Sequence, residues 1–276
     1  MSPAGSEEGL TLLAQGREAE IFVRPDGKVV KVMRFADWGH RVEREQAALQ
    51  VLHADGLAAP ESFGTTIVDG RPGLVMERIE GADFLQLLGR RPYALNRVAR
   101  TLATQHVAMH RCAAPAALPE LRAVLRERIE VGAEGLLPEH AAFALAVLDT
   151  LPDGDRLCHG DMHPGNILGS WDAPVVIDWG ESTRGNPIGD VARTHLLMRI
   201  GKPPPGSSAF INVAAPIGGR ILAARYLVAY RKLRPVDDAL LRRWQVVRAA
   251  ARFAEGIEEE VPALRAFLAR ARRPVG

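Results

Sequence analysis

The sequence predicts an α+β chain of two lobes: a small antiparallel β lobe carrying one main helix, then a larger, mostly helical lobe. Three observations predict it. Short β-prone runs separated by turn signals occupy the chain as far as Ile79, a periodic helical stretch interrupts them between Asp37 and Ala54, and helical periodicity takes over after Glu80 and Gly81. The division therefore falls between residues 1–80 and residues 81–276. A chain of 276 residues can bury a core in each part.

In the first lobe, Glu20 to Arg24 and Lys28 to Arg34 flank Pro25-Asp26-Gly27, residue types that close a β-hairpin. Within VVKV, the side-chain period of two sets Lys31 on the face of Val29 and turns Val30 and Val32 to the other. On the helical stretch, Ala48, Leu49 and Leu52 form one stripe. Glu45 precedes them by three, four and seven residues and shares their inward side, whereas Glu43 falls to the flank. An inward carboxylate requires a cation, and Lys31 is the natural one. Two further β-prone stretches, Ser62 to Val68 and Gly73 to Ile79, are joined by the turn from Asp69 to Gly73.

In the second lobe, several helices are expected between Asp83 and Leu151, the clearest over Leu95 to Cys112, Glu120 to Val131 and Glu139 to Leu151. An amphipathic helix follows, with Asp190 at its start behind Pro187 and Gly189. The last three run from Phe210 to Leu233, interrupted at Pro216-Ile217-Gly218-Gly219, from Val236 to Phe253, and from Val261 to Arg272. Lys202 to Ser208, KPPPGSS, reads as a loop between helices. His106 and His110 have the i, i+4 spacing of a metal pair; with no third ligand nearby they read as packed or hydrogen-bonded histidines.

The chemistry concentrates between Cys158 and Gly180, CHGDMHPGNILGSWDAPVVIDWG. Pro164 and Gly165 forbid a regular helix, so HGDMHPGN is a loop that holds Asp161 and Asn166. The β-rich run from Ala173 ends in Asp-Trp-Gly, which puts Asp178 where a strand opens into a loop. Hard oxygen donors from Asn166 and Asp178 suit Mg²⁺. Asp161, ligating no metal, is free to orient a substrate hydroxyl and accept its proton as a γ-phosphoryl group crosses. A zinc site from His159, Asp161 and His163 is disfavoured, because the HExxH arrangement needs a helix that Pro164-Gly165 denies.

HGDMHPGN followed by VIDWG resembles the catalytic and metal loops of the aminoglycoside phosphotransferase and choline kinase-like families, small-molecule kinases with a protein-kinase-like fold. The resemblance implies ATP, with GTP as the alternative nucleotide, and Mg²⁺ as cofactors. It implies Asp161 as the base, Asn166 and Asp178 as metal ligands, and Lys31 as the lysine that holds the α- and β-phosphates, with Glu45 as its helix partner. Glu77, Arg78 and Ile79 would bind adenine through the main chain of the lobe connector, with Met76 lining the pocket. Ala14-Gln15-Gly16-Arg17-Glu18-Ala19 stands where the phosphate-covering loop belongs, with one glycine. His159 would brace its loop, Asp190 would hold the same loop by hydrogen bonds to its backbone, and His110 matches a helix histidine of the family. His163 is left for the phosphate or the substrate.

So few residues separate Asp178 from Asp190 that no long activation segment fits, which points to a small-molecule hydroxyl acceptor. Glu255, Glu258 and Glu259 of AEGIEEEVP are candidates to receive a cationic acceptor, as C-terminal acidic residues do in relatives that modify aminoglycosides. The expectation is an ATP- and Mg²⁺-dependent O-phosphotransferase acting on a small-molecule hydroxyl. Two other readings stay open: a nucleotide-binding regulatory pseudokinase without turnover, and a kinase-fold AMP transferase.

Charge excludes some partners. With 35 Lys+Arg against 33 Asp+Glu, the net charge of +2 makes no case for nucleic acid or a membrane, and Arg265, Arg270, Arg272 and Arg273 read as a solvated helix face. The acidic start MSPAGSEEGL lacks the apolar core of a secretory signal, and no apolar run is long enough to span a bilayer. A cytoplasmic monomer or weak homodimer is expected, with Cys112 and Cys158 as buried thiols.

Overall fold

Strand pairing in the first lobe follows from its turn residues. The computed structural model describes residues 9–131, 135–201 and 209–273. Strands β1 (Thr11–Gln15), β2 (Ala19–Val23), β3 (Val29–Met33), β4 (Ser62–Val68) and β5 (Arg71–Met76) form a five-stranded antiparallel sheet in the order β1-β2-β3-β5-β4. Asp69 and Gly70 both take positive φ, 50° and 72°, the backbone of a two-residue hairpin turn. The tight turn starts β5 at Arg71 instead of Gly73. Pro72 is tolerated because it pairs only with Ile67 of β4, one residue beyond the last partner of β3. The strand then closes at Met76, before Ile79, where the Glu77 amide turns to the Glu61 carbonyl (2.8 Å).

Alternation along β3 divides its side chains. Val29 and Met33 join Ala48, Leu49 and Leu52 of helix α1 (Gly39–Ala54) in the main core, while Val30 and Val32 pack with Val68 and Val75 on the opposite face. The first lobe is thus one sheet with one helix laid on it.

The rest is mostly helical. Helices α2 (Phe84–Arg90), α3 (Leu95–Met109), α4 (Leu121–Glu130) and α5 (Pro138–Asp149) lead to strand β6 (Arg156–Cys158). Strands β7 (Ile167–Gly169) and β8 (Pro174–Val176) form one antiparallel ribbon, and β9 (Thr183–Gly185) pairs with β6. Helices α6 (Pro187–Ile200), α7 (Ala209–Leu233), α8 (Asp238–Ala251) and α9 (Val261–Ala271) complete the described chain. Helix α2, the first of the helices expected after Asp83, carries a capping signature: Asp83 accepts from the Gln86 amide (2.8 Å) and from its side chain (2.6 Å).

Two expectations about the helices need correction. Helix α6 opens at Pro187 under an Asn186 cap, so Asp190 lies within its first turn; and it is buried almost all round, not amphipathic, because β6, α7 and α8 pack on it. Helix α7 runs unbroken through Pro216, which removes one N–H from the ladder while packing against α3 and α6 holds the helix. The loop expected at Lys202–Ser208 and most of the acidic start, residues 1–8, lie outside the described residues. Arg265, Arg270, Arg272 and Arg273 are exposed, and both cysteines are buried free thiols. Among the described residues no helix is long and apolar enough to cross a membrane.

A fully buried carboxylate joins these helices to the HGDMHPGN loop. Asp190 Oδ2 accepts from the backbone amide of His159 (2.6 Å), from His106 Nε2 (3.0 Å) and from His110 Nε2 (3.3 Å), while Oδ1 accepts from the Gly160 amide (2.9 Å). A carboxylate only accepts, so both Nε2 atoms carry protons; the Nδ1 atoms then face the hydroxyls of Tyr226 (2.6 Å) and Tyr230 (2.8 Å) on α7. Asp190 is the third ligand-type group that the sequence hides: its carboxylate and the two rings have the proximity of a metal site, but each of these atoms already has a hydrogen-bond partner. Burial, with His106 alongside, pushes the His110 pKa down to about 3 against the pull of Asp190.

Two outcomes follow from this cluster. Tyr230→Phe leaves the buried His110 Nδ1 without its O–H donor and lowers unfolding free energy by about 1–3 kcal/mol in urea titration. Between pH 6.5 and about 3 the unfolded chain protonates His110 while the folded chain does not, so stability falls as pH falls across that window. Burial likewise lowers His195, to about 4, and adds in the same direction. Urea midpoints measured against pH decline accordingly, and the decline is shallower in His110→Gln.

Candidate active site

The β7–β8 ribbon brings the two halves of the Cys158–Gly180 stretch together. Ile167 pairs with Val176, and the Ile177 amide then donates to the Asn166 carbonyl (3.0 Å), so Asn166 and Asp178 emerge at the same end. The preceding loop is anchored by Met162, whose side chain is wholly buried, and turned by a single 3-10 turn over Pro164–Asn166, in keeping with the helix ban imposed by proline and glycine. Gly160 sits at φ +83°, and a Cβ there would lie 2.4 Å from the Glu181 carbonyl; only glycine lets the Asp161 and Asp178 loops lie this close.

Asn166 donates its Nδ2 to the Asp161 backbone carbonyl (2.9 Å), which fixes its amide and leaves Oδ1 as the free oxygen. Asp178 adopts φ +66°, an unusual conformation for a non-glycine residue, and its side chain remains 47% exposed. Its Oδ1 lies 2.6 Å from Lys31 Nζ. The same ammonium reaches Glu45 Oε2 at 2.7 Å, and Glu45 Oε1 accepts from the Trp179 amide (3.1 Å). A buried lysine thus joins α1 of the first lobe to the Asp-Trp-Gly loop of the second. Burial opposes its charge, but Asp178 and Glu45 outweigh burial and hold the ammonium above its usual range. Lys31 in turn holds the Asp178 carboxyl below the usual carboxylate range.

Asp161 is partly open to solvent. Burial would raise its pKa, but the hydrogen bond to His163 and the charge of Arg193 outweigh it and hold the carboxyl far below the usual range. Arg193 Nη2 approaches Oδ1 at 3.1 Å, while Oδ2 faces His163 Nε2 at 3.5 Å. The Gly165 amide donates to His163 Nδ1 (3.0 Å), so Nε2 carries the ring proton toward Asp161. His159 is fully buried, accepts from the Asp161 amide (3.1 Å) and donates Nε2–H to the Ile177 carbonyl (3.0 Å), joining the two loops; burial pushes its pKa down.

At the lobe connector Met76 is buried, Glu77 is exposed and Ile79 half-buried. The Glu77 N–H is spent on the Glu61 carbonyl, which removes it from the main-chain donors expected of this connector. Gly81, at φ +118°, follows; a Cβ there would come within 3.0 Å of the Gly169 backbone at the ribbon turn. In the C-terminal acidic cluster Glu258 and Glu259 are exposed, Glu260 is buried against Arg252, and Glu255 pairs with Arg193 (2.7 Å) and Arg252. Sequence reasoning missed Arg193, although it lies one helical turn after Asp190 and so shares its side of α6. It also missed Arg41 of α1, which ties Glu18 of the β1–β2 loop to Glu181 (2.7 Å), a residue also paired with Arg128 of α4.

The donor set is chemically suited to a hard divalent cation: one amide oxygen and one carboxylate oxygen, with no sulfur or imidazole among them. A thermostable mutant of aminoglycoside phosphotransferase APH(4)-Ia, in ternary complex with AMP-PNP and hygromycin B, superposes with a TM-score of 0.68 at 17% identity over 97% of this chain and 94% of that one. The GDP and kanamycin complex of APH(2")-IIIa gives 0.61 at 17% identity over 97% and 94%. Amicoumacin kinase hAmiN with AMP-PNP, Ca²⁺ and Ami gives 0.65 at 14% identity over 97% and 89%. At these identities the likeness is one of fold, the protein-kinase-like two-lobe fold. No curated protein sequence matches the chain. The sequence model described as Phosphotransferase enzyme family (APH) matches residues 9–236, and the chain belongs to that family.

Proposed function

We propose that the chain is an ATP- and Mg²⁺-dependent O-phosphotransferase acting on a hydroxyl of a small molecule, with residues 1–80 holding the nucleotide and residues 81–276 supplying the reacting groups and the acceptor site. One observation carries the reading: Asp161, Asn166 and Asp178 each keep an oxygen that can accept a further bond, Oδ2 of Asp161 having only the distant His163 Nε2 (3.5 Å) before it, and Asp178 is tied to a lysine that is paired across the lobes. The family match and the nucleotide complexes of the structural neighbours support it.

In this reading Lys31 is shared between Glu45, Asp178 and the α- and β-phosphates of the incoming nucleotide. Asn166 Oδ1 and Asp178 Oδ2 would hold Mg²⁺, which, when bound, neutralises charge on the phosphate oxygens. Asp161 Oδ2 accepts a hydrogen bond from the acceptor hydroxyl. The hydroxyl oxygen forms a bond to the γ-phosphorus as the bond to the β–γ bridging oxygen breaks, ADP departs, and the hydroxyl proton ends on Asp161. A carboxylate held this far into its ionised range is a weak base. Its first task is therefore orientation, and it takes the proton late, once bond formation has made the hydroxyl acidic. ATP is the leading nucleotide and GTP the alternative, in keeping with the GDP complex of one neighbour. Hygromycin B and kanamycin in neighbouring complexes make hydroxylated polycations the first acceptors to try, with exposed Glu258 and Glu259 as candidate contacts. The intact set of polar groups disfavours a pseudokinase, and α- against γ-labelled ATP separates phosphoryl from AMP transfer.

The test is ADP release across aminoglycosides, sugars and amino alcohols. Asp178→Ala removes Mg²⁺-dependent turnover while the protein stays folded by circular dichroism, and full activity in that variant overturns the metal assignment. Asp161→Asn lowers the rate by about 10²–10⁴-fold with nucleotide affinity by calorimetry little changed.

A further inference from the structure

Arg193 is a buried guanidinium with three different tasks for its nitrogens. Nε donates to the Gly160 carbonyl (3.1 Å), Nη2 meets Asp161 Oδ1 (3.1 Å), and Nη1 meets Glu255 Oε1 (2.7 Å). The first two contacts grip the backbone and the side chain of consecutive residues, so they fix both the position of the loop and the rotation of the Asp161 carboxylate. The third holds the guanidinium from behind. Glu255 is itself held by Arg252, and Arg252 is held in turn by both oxygens of Glu260 (2.8 and 2.9 Å). The result is a chain of alternating charge, Asp161–Arg193–Glu255–Arg252–Glu260, running from the loop through α6 to the start of α9.

Such a chain costs desolvation energy, and burying two arginines is a poor way to gain stability alone. What it supplies is direction. Oδ1 of Asp161 is turned inward and occupied, and Oδ2 is the oxygen left on the His163 side. The side chain of Arg193 is only 6% exposed, too buried to bind an acceptor itself. Lysine, with one nitrogen and no planar fork, cannot make the three contacts at once.

We propose that Arg193, braced by Glu255, is the positioning residue that orients Asp161 Oδ2 toward the acceptor hydroxyl; the inference rests on the phosphotransfer reading of Asp161. On this assignment Glu255 acts through Arg193, and the charge that meets a cationic acceptor falls to Glu258 and Glu259.

Arg193→Gln, Arg193→Lys and Glu255→Gln test it, using ADP release from Mg·ATP with water as acceptor and with any acceptor the screen returns. Arg193→Gln lowers kcat by about 10-fold or more with the KM for Mg·ATP within about twofold, Arg193→Lys recovers part of the loss, and Glu255→Gln gives a smaller drop of the same kind. A purely structural role lowers the melting temperature and leaves kcat per folded molecule unchanged, which overturns the proposal. Crystal structures of the ligand-free variants supply a readout independent of turnover: in Arg193→Gln the Asp161 carboxylate leaves its orientation, and an unmoved carboxylate overturns the proposal. Should Arg193→Gln fail to fold, Glu255→Gln and Arg193→Lys carry both arms. A displaced Asp161 in a protein whose parent never releases ADP upholds the clamp and counts against the phosphotransfer reading instead.

Discussion

The arrangement of the site depends on one buried anion. Asp190 is wholly excluded from solvent, and leaving such a carboxylate unpartnered would cost on the order of several kcal/mol. It is tolerated because backbone amides of His159 and Gly160 and ring nitrogens of His106 and His110 all point at it. That requirement works in both directions. The amides can satisfy the carboxylate only if the loop passes directly over the first turn of α6, and the histidines only if α3 packs against α6 with α7 closing over both through Tyr226 and Tyr230. A need for hydrogen-bond donors thereby becomes a positional constraint on Asp161, one residue beyond the last anchored amide.

The other half of the site is fixed by a cation. Lys31 Nζ lies between Glu45 and Asp178, so a strand and a helix of the first lobe grip a loop of the second through one atom. Glu45 secures the same loop again through the Trp179 amide, and the positive φ of Asp178 turns its carboxylate back toward the lysine. The two anchors are connected by His159, which accepts a hydrogen bond from the Asp161 amide on one side and donates one to the Ile177 carbonyl on the other. The Asp161 loop and the Asp178 loop therefore have their spacing set by the protein's own contacts.

Much of this was legible in the chain. Period two along VVKV and the stripe of Glu45 with Ala48, Leu49 and Leu52 were enough to bring Lys31 and Glu45 together, because each residue's direction is set by its own element. Pro164-Gly165 and the Asp-Trp-Gly turn likewise fixed loop character locally. What stayed hidden depends on contacts distant in sequence. His106 and His110 lacked a third group only because Asp190 lies 84 and 80 residues further on, and Tyr226 and Tyr230 a further helix away. Arg193 was masked by a misreading of α6 as amphipathic: on a helix exposed on one face an arginine is a solvated charge, and on a helix buried all round it demands partners. The expected break at Pro216 failed for the same reason, since tertiary packing overrides a local penalty.

A common rule links the three oxygen-bearing side chains. Asp161 gives Oδ1 to Arg193 and keeps Oδ2; Asp178 gives Oδ1 to Lys31 and keeps Oδ2; Asn166 gives Nδ2 to the Asp161 carbonyl and keeps Oδ1. Each group is anchored through one polar atom and presents the other. Rotation about the last side-chain bond, the cheapest motion open to an unanchored carboxylate or amide, would otherwise scatter those oxygens, and restoring them on substrate binding would consume binding energy. With the anchors in place the oxygens are already oriented, and the proposed phosphotransfer would need little reorganisation of them. The arginine and lysine that do the anchoring are cations, so they also hold both half-open carboxylates in the ionised form, against the burial that would favour the neutral acids.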